Sequence, residues 1–199
     1  MGYSRAVGRR RDELSFLLWG AGWWLAHAGG ARTVPMTGGA AGAAAAGLWA
    51  LLLAGVGLRL WAAMNLEKNR FDRPAGPYCL MRHPLYAGTS LISLSFFLSL
   101  GTPVAGSLLW IAMVGGIFVP VMRREERQLS VRFPEAYGAY LRRVPALYPR
   151  VSALPEAVRT SAASLDRARR NYGLRALVFL PLVPALGALL RWANGAGSP

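Results

Sequence analysis

Hydrophobic residues along the chain are gathered into five runs separated by polar segments. The runs cover residues 14–27, 40–64, 85–100, 104–122 and 174–192. Several are close to the roughly 20 residues that a helix needs to cross a bilayer, and small tilts or a locally thin bilayer accommodate the shorter first and third runs. The pattern predicts an all-α, polytopic integral membrane protein with about five transmembrane helices.

Positive charge alternates with these apolar runs. The chain has 23 Lys and Arg against 9 Asp and Glu, a formal net charge of +14. Basic residues precede the first run, follow the second and follow the fourth, whereas only Arg32 and Arg191 lie on the opposite side. The positive-inside rule then predicts a cytoplasmic N-terminus and a C-terminus outside. Cytoplasmic loops beside anionic membrane lipids account for the charge, so we expect no nucleic-acid partner.

Prolines mark where the helices should begin and bend. Pro84 suits the first position of the third helix. The fourth helix should continue past the membrane surface until Pro134, with a bend at Pro120, because that residue lacks a backbone donor. Phe133, Tyr137 and Tyr140 would then form an aromatic stripe on a short following helix. Cys79 is the only cysteine, which excludes an intrachain disulfide and a cysteine metal cluster.

Two polar motifs flank the predicted hairpin of the third and fourth helices. Residues 76–88 read Gly-Pro-Tyr-Cys-Leu-Met-Arg-His-Pro-Leu-Tyr-Ala-Gly, and the pair Glu125 and Glu126 follows the hairpin. A tail at residues 133–145 reads Phe-Pro-Glu-Ala-Tyr-Gly-Ala-Tyr-Leu-Arg-Arg-Val-Pro. This arrangement, over about residues 65–149, resembles the isoprenylcysteine carboxyl methyltransferase and phospholipid methyltransferase superfamily. The wealth of arginine, alanine and glycine suggests a bacterial inner membrane protein.

The resemblance implies a single membrane methyltransferase domain over residues 1–199. Helices within 14–64 would precede a core at 65–149, and a connection with the last helix would fill 150–199. A cytosolic pocket for S-adenosylmethionine would be built from loop 65–84 and segment 123–149, with S-adenosylhomocysteine as product. Its expected contacts, without any metal, are Tyr78, His83, Tyr86, Gly88, Glu125, Glu126 and Tyr137.

The acceptor of the methyl group would be a lipophilic small molecule or lipid. Neighbouring glutamates on a helix point about 100 degrees apart, so only one of Glu125 and Glu126 should face the pocket. A carboxylate acceptor already carries its nucleophilic charge, and Arg82 and Arg143 are the candidate catalytic residues that would hold it. An amine or thiol acceptor would have to lose a proton, for which His83 or a glutamate is the candidate base.

Two other classes stay open at this point. Related sterol reductases share part of the architecture and bind NADPH, which leaves an oxidoreductase as an alternative. A non-catalytic membrane protein, either a scaffold or a small transporter, would explain the five apolar helices but not the two polar motifs.

Overall fold

The computed structural model describes residues 2–36, 42–66, 74–162, 164–171 and 173–196. Within these ranges the chain is helical and contains no β-strand. The all-α expectation is therefore confirmed for the described residues. The α-helices, in chain order, are α1 (Gly2–Ala28), α2 (Ala43–Asn65), α3 (Pro84–Ser99), α4 (Pro103–Met113), α5 (Val119–Arg132), α6 (Pro134–Arg143), α7 (Leu154–Arg159), α8 (Leu165–Arg170) and α9 (Phe179–Ala196).

Three helices are long and apolar enough to cross a membrane. They are Ala43–Asn65, Pro103–Arg132 and Gly173–Gly195, of which the second contains α4 and α5 and the third contains α9. These helices indicate membrane association. Each of the five predicted apolar runs is largely helical where it is described, but α3, with 16 residues, is shorter than a typical span. Five crossings are therefore not confirmed.

Proline positions agree with most of the predicted helix boundaries. Helix α3 begins at Pro84, and α5 ends at Arg132, just before Pro134 begins α6. The expected irregularity near Pro120 lies slightly earlier, where Val114–Phe118 forms a π-helical segment between α4 and α5. Proline leaves a carbonyl of the preceding turn without its usual donor, and a wider turn accommodates that loss.

The described chain forms two compact units. Unit 1 comprises Met1–Leu53, Ser90–Val121 and Leu180–Pro199. In its core the Trp19 ring stacks on Phe96 with 4.3 Å between ring centroids. The indole nitrogen of Trp19 donates to the Ser93 hydroxyl at 3.2 Å. Among the described residues of unit 1, the buried polar side chains are those of Thr33, Ser90, Ser93, Ser95 and Ser99, none of which is itself charged.

Unit 2 comprises Ala54–Thr89 and Met122–Phe179. It has two hydrophobic clusters. One contains Cys79, Leu80, Ala153 and Ala157 with Trp61 packed against them. The other contains Tyr137, Tyr140 and Val144, with Leu129, Phe133 and Leu141 at its edge. Unit 2 contains every predicted site residue, and the single-domain assignment over 1–199 stays a prediction.

Candidate functional site

The first polar motif is fixed to the tail that follows α6 by backbone hydrogen bonds. The amide of Arg82 donates to the Pro145 carbonyl at 2.8 Å, and that of His83 donates to the Ala146 carbonyl at 3.1 Å. The Arg150 amide donates to the Leu80 carbonyl at 2.9 Å. Residues of the first motif are therefore held against the chain that follows α6, more than sixty residues away in sequence, just before α3 begins.

Arg82 links α5 to the end of α6. Its Nε donates to Glu126 Oε1 at 2.8 Å, and its Nη1 donates to the carbonyls of Leu141 and Val144 at 3.0 and 2.9 Å. The last carbonyls of a helix have no partner within the helix, so an arginine here acts as a C-terminal cap. The side chain is 15% exposed. Arg82 therefore makes three hydrogen bonds to the protein itself, whereas the sequence suggested that it would bind the carboxylate of a methyl acceptor.

His83 lies beside Arg82 and contacts the same carboxylate. Its Nε2 is 2.9 Å from Glu126 Oε1, and the side chain is only 6% exposed. Burial lowers the pKa of His83, because the loss of water outweighs the two nearby carboxylates, which favour the charged ring. A neutral His83 must carry its proton on Nε2 to make this bond, since the carboxylate can only accept.

The two glutamates differ in exposure, although both contact the same group of side chains. Glu126 is 19% exposed and accepts from Arg82 and His83, whereas Glu125 is 45% exposed. The Tyr86 hydroxyl donates to Glu125 Oε1 at 2.7 Å. Glu125 also lies 4.0 Å from His83 Nδ1. We call Arg82, His83, Tyr86, Glu125 and Glu126 the polar cluster.

The tyrosines predicted around the site border the polar cluster. Tyr137 is 2% exposed, and burial together with the charge of Glu126 raises its pKa to about 12. The Tyr78 hydroxyl is buried and has no hydrogen-bond partner among the described residues, and burial raises its pKa well above the usual value. Tyr140 donates to the Tyr78 carbonyl at 2.8 Å. The sequence predicts Tyr140 only as a member of the aromatic stripe with Phe133 and Tyr137. Its spacing from Phe133 is the one feature of the sequence that points to a buried position.

Gly88 has a packing role. A Cβ atom at this position would lie 2.6 Å from Arg59 Cγ and 2.7 Å from the Gly55 carbonyl of α2. The missing side chain therefore lets α3 approach α2, as small residues often do between membrane helices. One Nη of Arg59 donates to the Thr89 hydroxyl. The sequence gives no signal for this link, because an arginine near a helix end can equally reach for the membrane surface.

Arg143 is not part of the polar cluster. Its side chain is exposed, and its carbonyl accepts from Arg150 Nη1 at 3.3 Å. Arg82, by contrast, is largely buried and bonded to Glu126 and to backbone carbonyls. The structure therefore does not form the two-arginine clamp that was expected to hold a carboxylate.

An open groove of about 480 Å³ adjoins the polar cluster, a volume within the range of ligand sites. Its lining residues are Arg123, Glu126, Arg127, Ser130, Val131 and Leu141. Of the residues expected to contact a cofactor, only Glu126 lines it. No group of three or more His, Cys, Asp or Glu side chains in the described part of the chain could hold a metal ion. Part of the expected pocket loop, residues 67–73, lies outside the described residues.

Fold and site together define an all-helical protein with candidate membrane spans and a buried charged cluster beside α3. A comparison with known protein families finds no match, and neither does one with solved structures. Two curated bacterial proteins are similar to the chain. The cobalt-zinc-cadmium resistance protein CzcN of Cupriavidus metallidurans is 39% identical over 111 residues, covering 53% of this chain and 49% of CzcN.

The second relative is the nickel-cobalt-cadmium resistance protein NccN of Alcaligenes xylosoxydans xylosoxydans. It is 33% identical over 115 residues, covering 53% of this chain and 49% of NccN. The chain thus spans about half the length of the curated relatives it matches.

These relatives overturn the functional reading of the motifs. The assignment to the isoprenylcysteine carboxyl methyltransferase superfamily, the methyltransferase activity and the enzyme class drawn from it are wrong, because the matching proteins are metal-resistance proteins. The reductase alternative does not match better. Proteins with different functions can share a short motif. Such a motif therefore predicts a local arrangement of residues more reliably than it predicts a reaction.

Proposed function

We propose that this chain is a bacterial membrane protein that contributes to resistance against cobalt, zinc, cadmium and nickel ions. The observation that carries the proposal is the similarity of 53% of the chain to CzcN and NccN. The three apolar helices are compatible with this, since they suit a protein of the cell membrane. The described residues offer no three-ligand metal site, so the proposal concerns the resistance phenotype and not metal binding by this chain.

We further propose that α1 and α3 also cross the membrane, which gives five crossings with the N-terminus in the cytoplasm and the C-terminus outside. The support is that all five apolar runs are largely helical where described and that positive charge alternates between them. Reporter proteins active on only one side of the membrane, fused after residues 36, 101 and 196, test this. The proposal expects outside signals at all three positions, and an inside signal at any of them contradicts it.

We also propose that the polar cluster is required for resistance. Its support is energetic. Charges removed from water are costly unless they are paired and hydrogen-bonded, yet Arg82, Glu126 and His83 are kept together with 15%, 19% and 6% of their side chains exposed. Buried, paired ionisable groups often lie in functional sites, although structural networks share this property.

The test is growth of a strain that lacks the gene and carries plasmid copies of it. We expect the wild-type copy to restore growth in graded Co²⁺, Zn²⁺, Cd²⁺ and Ni²⁺, and Glu126→Gln to restore it poorly. Glutamine keeps the size of glutamate and an oxygen acceptor but removes the charge. The matched control is Glu135→Gln, an exposed glutamate in the first turn of α6, and excess Mg²⁺ serves as a control for general ionic stress.

Two outcomes of this test have different meanings. If loss of the gene changes no metal tolerance, the resistance proposal fails. If the gene is needed but Glu126→Gln, present in the membrane at the wild-type amount, restores growth fully, then only the role of the polar cluster fails.

A lipophilic substrate stays a prediction, and so does S-adenosylmethionine, which the geometry does not favour. The polar groups expected to hold the cofactor bond to one another, as in the pairs Tyr86 with Glu125 and His83 with Glu126, and α2 fills the space beside Gly88. These residues therefore do not fit a ligand that needs them as free donors and acceptors. An increase in melting temperature with S-adenosylmethionine would show binding independently of any reaction.

A further inference from the structure

A short segment of unit 2, residues 148–159, has two distinct faces. Its inner face consists of Ala153 and Ala157, which are 3% and 0% exposed and pack in the cluster with Cys79 and Leu80. Trp61 of α2 packs against the same cluster. These small inner residues bring α7 close to the end of α2.

The outer face of the segment is apolar and exposed. Val151, Leu154 and Val158 are 70%, 46% and 64% exposed, and their i, i+3, i+7 spacing places them in one stripe. Tyr148, at the start of the segment, is 83% exposed. Single exposed apolar residues are ordinary on a protein surface, but an aligned set indicates a partner. We call these four residues the outer stripe.

The position of the outer stripe beside α2 identifies the partner. Helix α2, Ala43–Asn65, is a candidate membrane span, and Trp61 lies in its last turns. Trp61 Nε1 donates to the Ser161 hydroxyl at 2.9 Å, and the Ala162 amide donates to Asn65 Oδ1 at 2.9 Å. The chain just after α7 is therefore tied to the end of a span. That is where the polar surface of a bilayer lies, and tryptophans are frequent at this level.

Charged residues flank the outer stripe in the arrangement expected for a membrane surface. Arg159 is exposed at the end of α7, and Arg150 is exposed before it, with Glu156 3.9 Å away. Arg169 and Arg170 are exposed on α8. Arginines beside an apolar face attract anionic lipid headgroups, whereas a helix pair between two copies of the chain would gain nothing from this excess of like charge.

We propose that residues 148–159 lie on the surface of the membrane, with the outer stripe in the interfacial layer and Arg150 and Arg159 contacting anionic phospholipid headgroups. An interfacial helix buries its apolar face about 5–10 Å into the boundary between headgroups and acyl chains. The occupant of this surface is therefore lipid, and the proposal does not depend on the resistance function.

The test uses the full chain with a single reporter cysteine. Cys79→Ser removes the one native cysteine, which is buried, and serine can keep the donation to the Pro74 carbonyl. Leu154→Cys or Val158→Cys is then labelled with an environment-sensitive fluorophore, and the protein is reconstituted into vesicles of phosphatidylcholine alone or mixed with phosphatidylglycerol. Ser152→Cys, exposed in the same segment but outside the stripe, is the matched control.

We expect the labels at 154 and 158 to emit at shorter wavelength than the label at 152. Lipids brominated near the headgroup end of their chains should quench them, and more strongly in the anionic vesicles. Equal quenching at all three positions, or none at 154 and 158, would overturn the proposal.

Two further results separate the remaining explanations. A blue-shifted label at 154 that brominated lipid does not quench, together with disulfide cross-linking of Leu154→Cys between copies, would replace lipid by a second copy of the chain. Identical quenching in neutral and anionic vesicles would overturn the role of Arg150 and Arg159.

Discussion

The two units of this protein handle buried polar groups in different ways. Among the described residues of unit 1, the buried polar side chains are neutral. Ser95 donates to the Leu48 carbonyl at 2.8 Å, and Trp110 Nε1 donates to the carbonyl and hydroxyl of Ser90 at 2.9 and 3.0 Å. Unit 2 has a buried neutral side chain in Asn65, but it also contains ionisable groups, with Arg82 and His83 sharing one carboxylate oxygen of Glu126.

This difference shows what each unit can tolerate. A serine hydroxyl that bonds a helix carbonyl adds a contact to a helix pair without removing a charge from water. The polar cluster holds ions, so removing one partner leaves another ion unpaired in a poorly solvated place. We therefore expect substitutions in unit 2 to be more costly per hydrogen bond than those in unit 1.

The largest effect should come from Arg82→Ala. The change removes three hydrogen bonds, leaves Glu126 without its cation and uncaps α6, and buried pairs broken in this way cost about 3–5 kcal/mol. Because both side chains keep some exposure, we expect about 3 kcal/mol of lost unfolding free energy, near the lower end. Denaturant unfolding of the purified protein in detergent measures it.

The matched control for this change is Arg143→Ala. Arg143 is exposed, so its loss should stay within about 0.5 kcal/mol. If the two variants were equally stable, Arg82 would not hold α5 and α6 together as the contacts indicate.

Packing in unit 1 should be the next most sensitive feature. A Cβ at Gly106 would lie 2.6 Å from the Phe97 carbonyl, and backbone cannot turn aside as a flexible side chain can. We expect Gly106→Ala to cost about 1–3 kcal/mol. Gly47→Ala, where no atom lies within 4 Å, should instead be neutral or slightly stabilising. Thermal unfolding of both variants in one detergent compares them, and equal melting temperatures would contradict the close helix contact.

Neutral hydrogen bonds of unit 1 should contribute less. Ser95→Ala removes a bond between α3 and α2, and bonds of this kind in a membrane protein average about 0.6 kcal/mol. Ser99→Ala removes a bond to the Phe96 carbonyl of its own helix and should cost no more than that. Unfolding free energies of the two variants test the expectation. A loss from Ser95→Ala as large as that from Arg82→Ala would remove the contrast between the units.

Much of the fold could be predicted from the sequence, because long apolar runs and prolines act locally. The start of α3 at Pro84 and the end of α5 before Pro134 needed no knowledge of tertiary structure. The five-crossing count was less certain, since a 16-residue helix such as α3 can cross a membrane or remain buried within a protein.

The candidate site could be predicted only in part. The motifs contain the residues that form the polar cluster beside α3, but the rotation of each helix decides which of them point inward. Arg143 follows α6 outward because the buried side of that helix carries Tyr137, Tyr140 and, beyond its end, Val144. In the same way, the rotation of α3 turns Gly88 towards α2. The motif resemblance also gave the wrong function, because a cluster of paired ions does not define one reaction.

The smallest effect we predict is the pH dependence that comes from His83. Burial lowers its pKa in the folded protein, whereas Glu126 and Glu125 oppose that shift and Arg82 adds to it. The unfolded chain therefore binds a proton first as pH falls below about 6.5, and the free energy of unfolding decreases until the folded protein is protonated as well. Because the opposing contributions partly cancel, we expect a smaller change than Arg82→Ala, Gly106→Ala or Ser95→Ala should cause.

Unfolding free energy measured between about pH 8 and pH 5 checks this expectation, with His83→Gln as the test variant and His27→Gln as its control. His27 is the other histidine of the chain and is exposed in unit 1. The dependence assigned to His83 should be lost with His83→Gln and kept with His27→Gln. If the His83→Gln protein lost stability below about pH 6.5 as steeply as the wild type, another group would be responsible. In that case protonation of His83 would not change the free energy of unfolding in this pH range. His83 would then resemble the serines of unit 1, whose hydrogen bonds do not depend on pH.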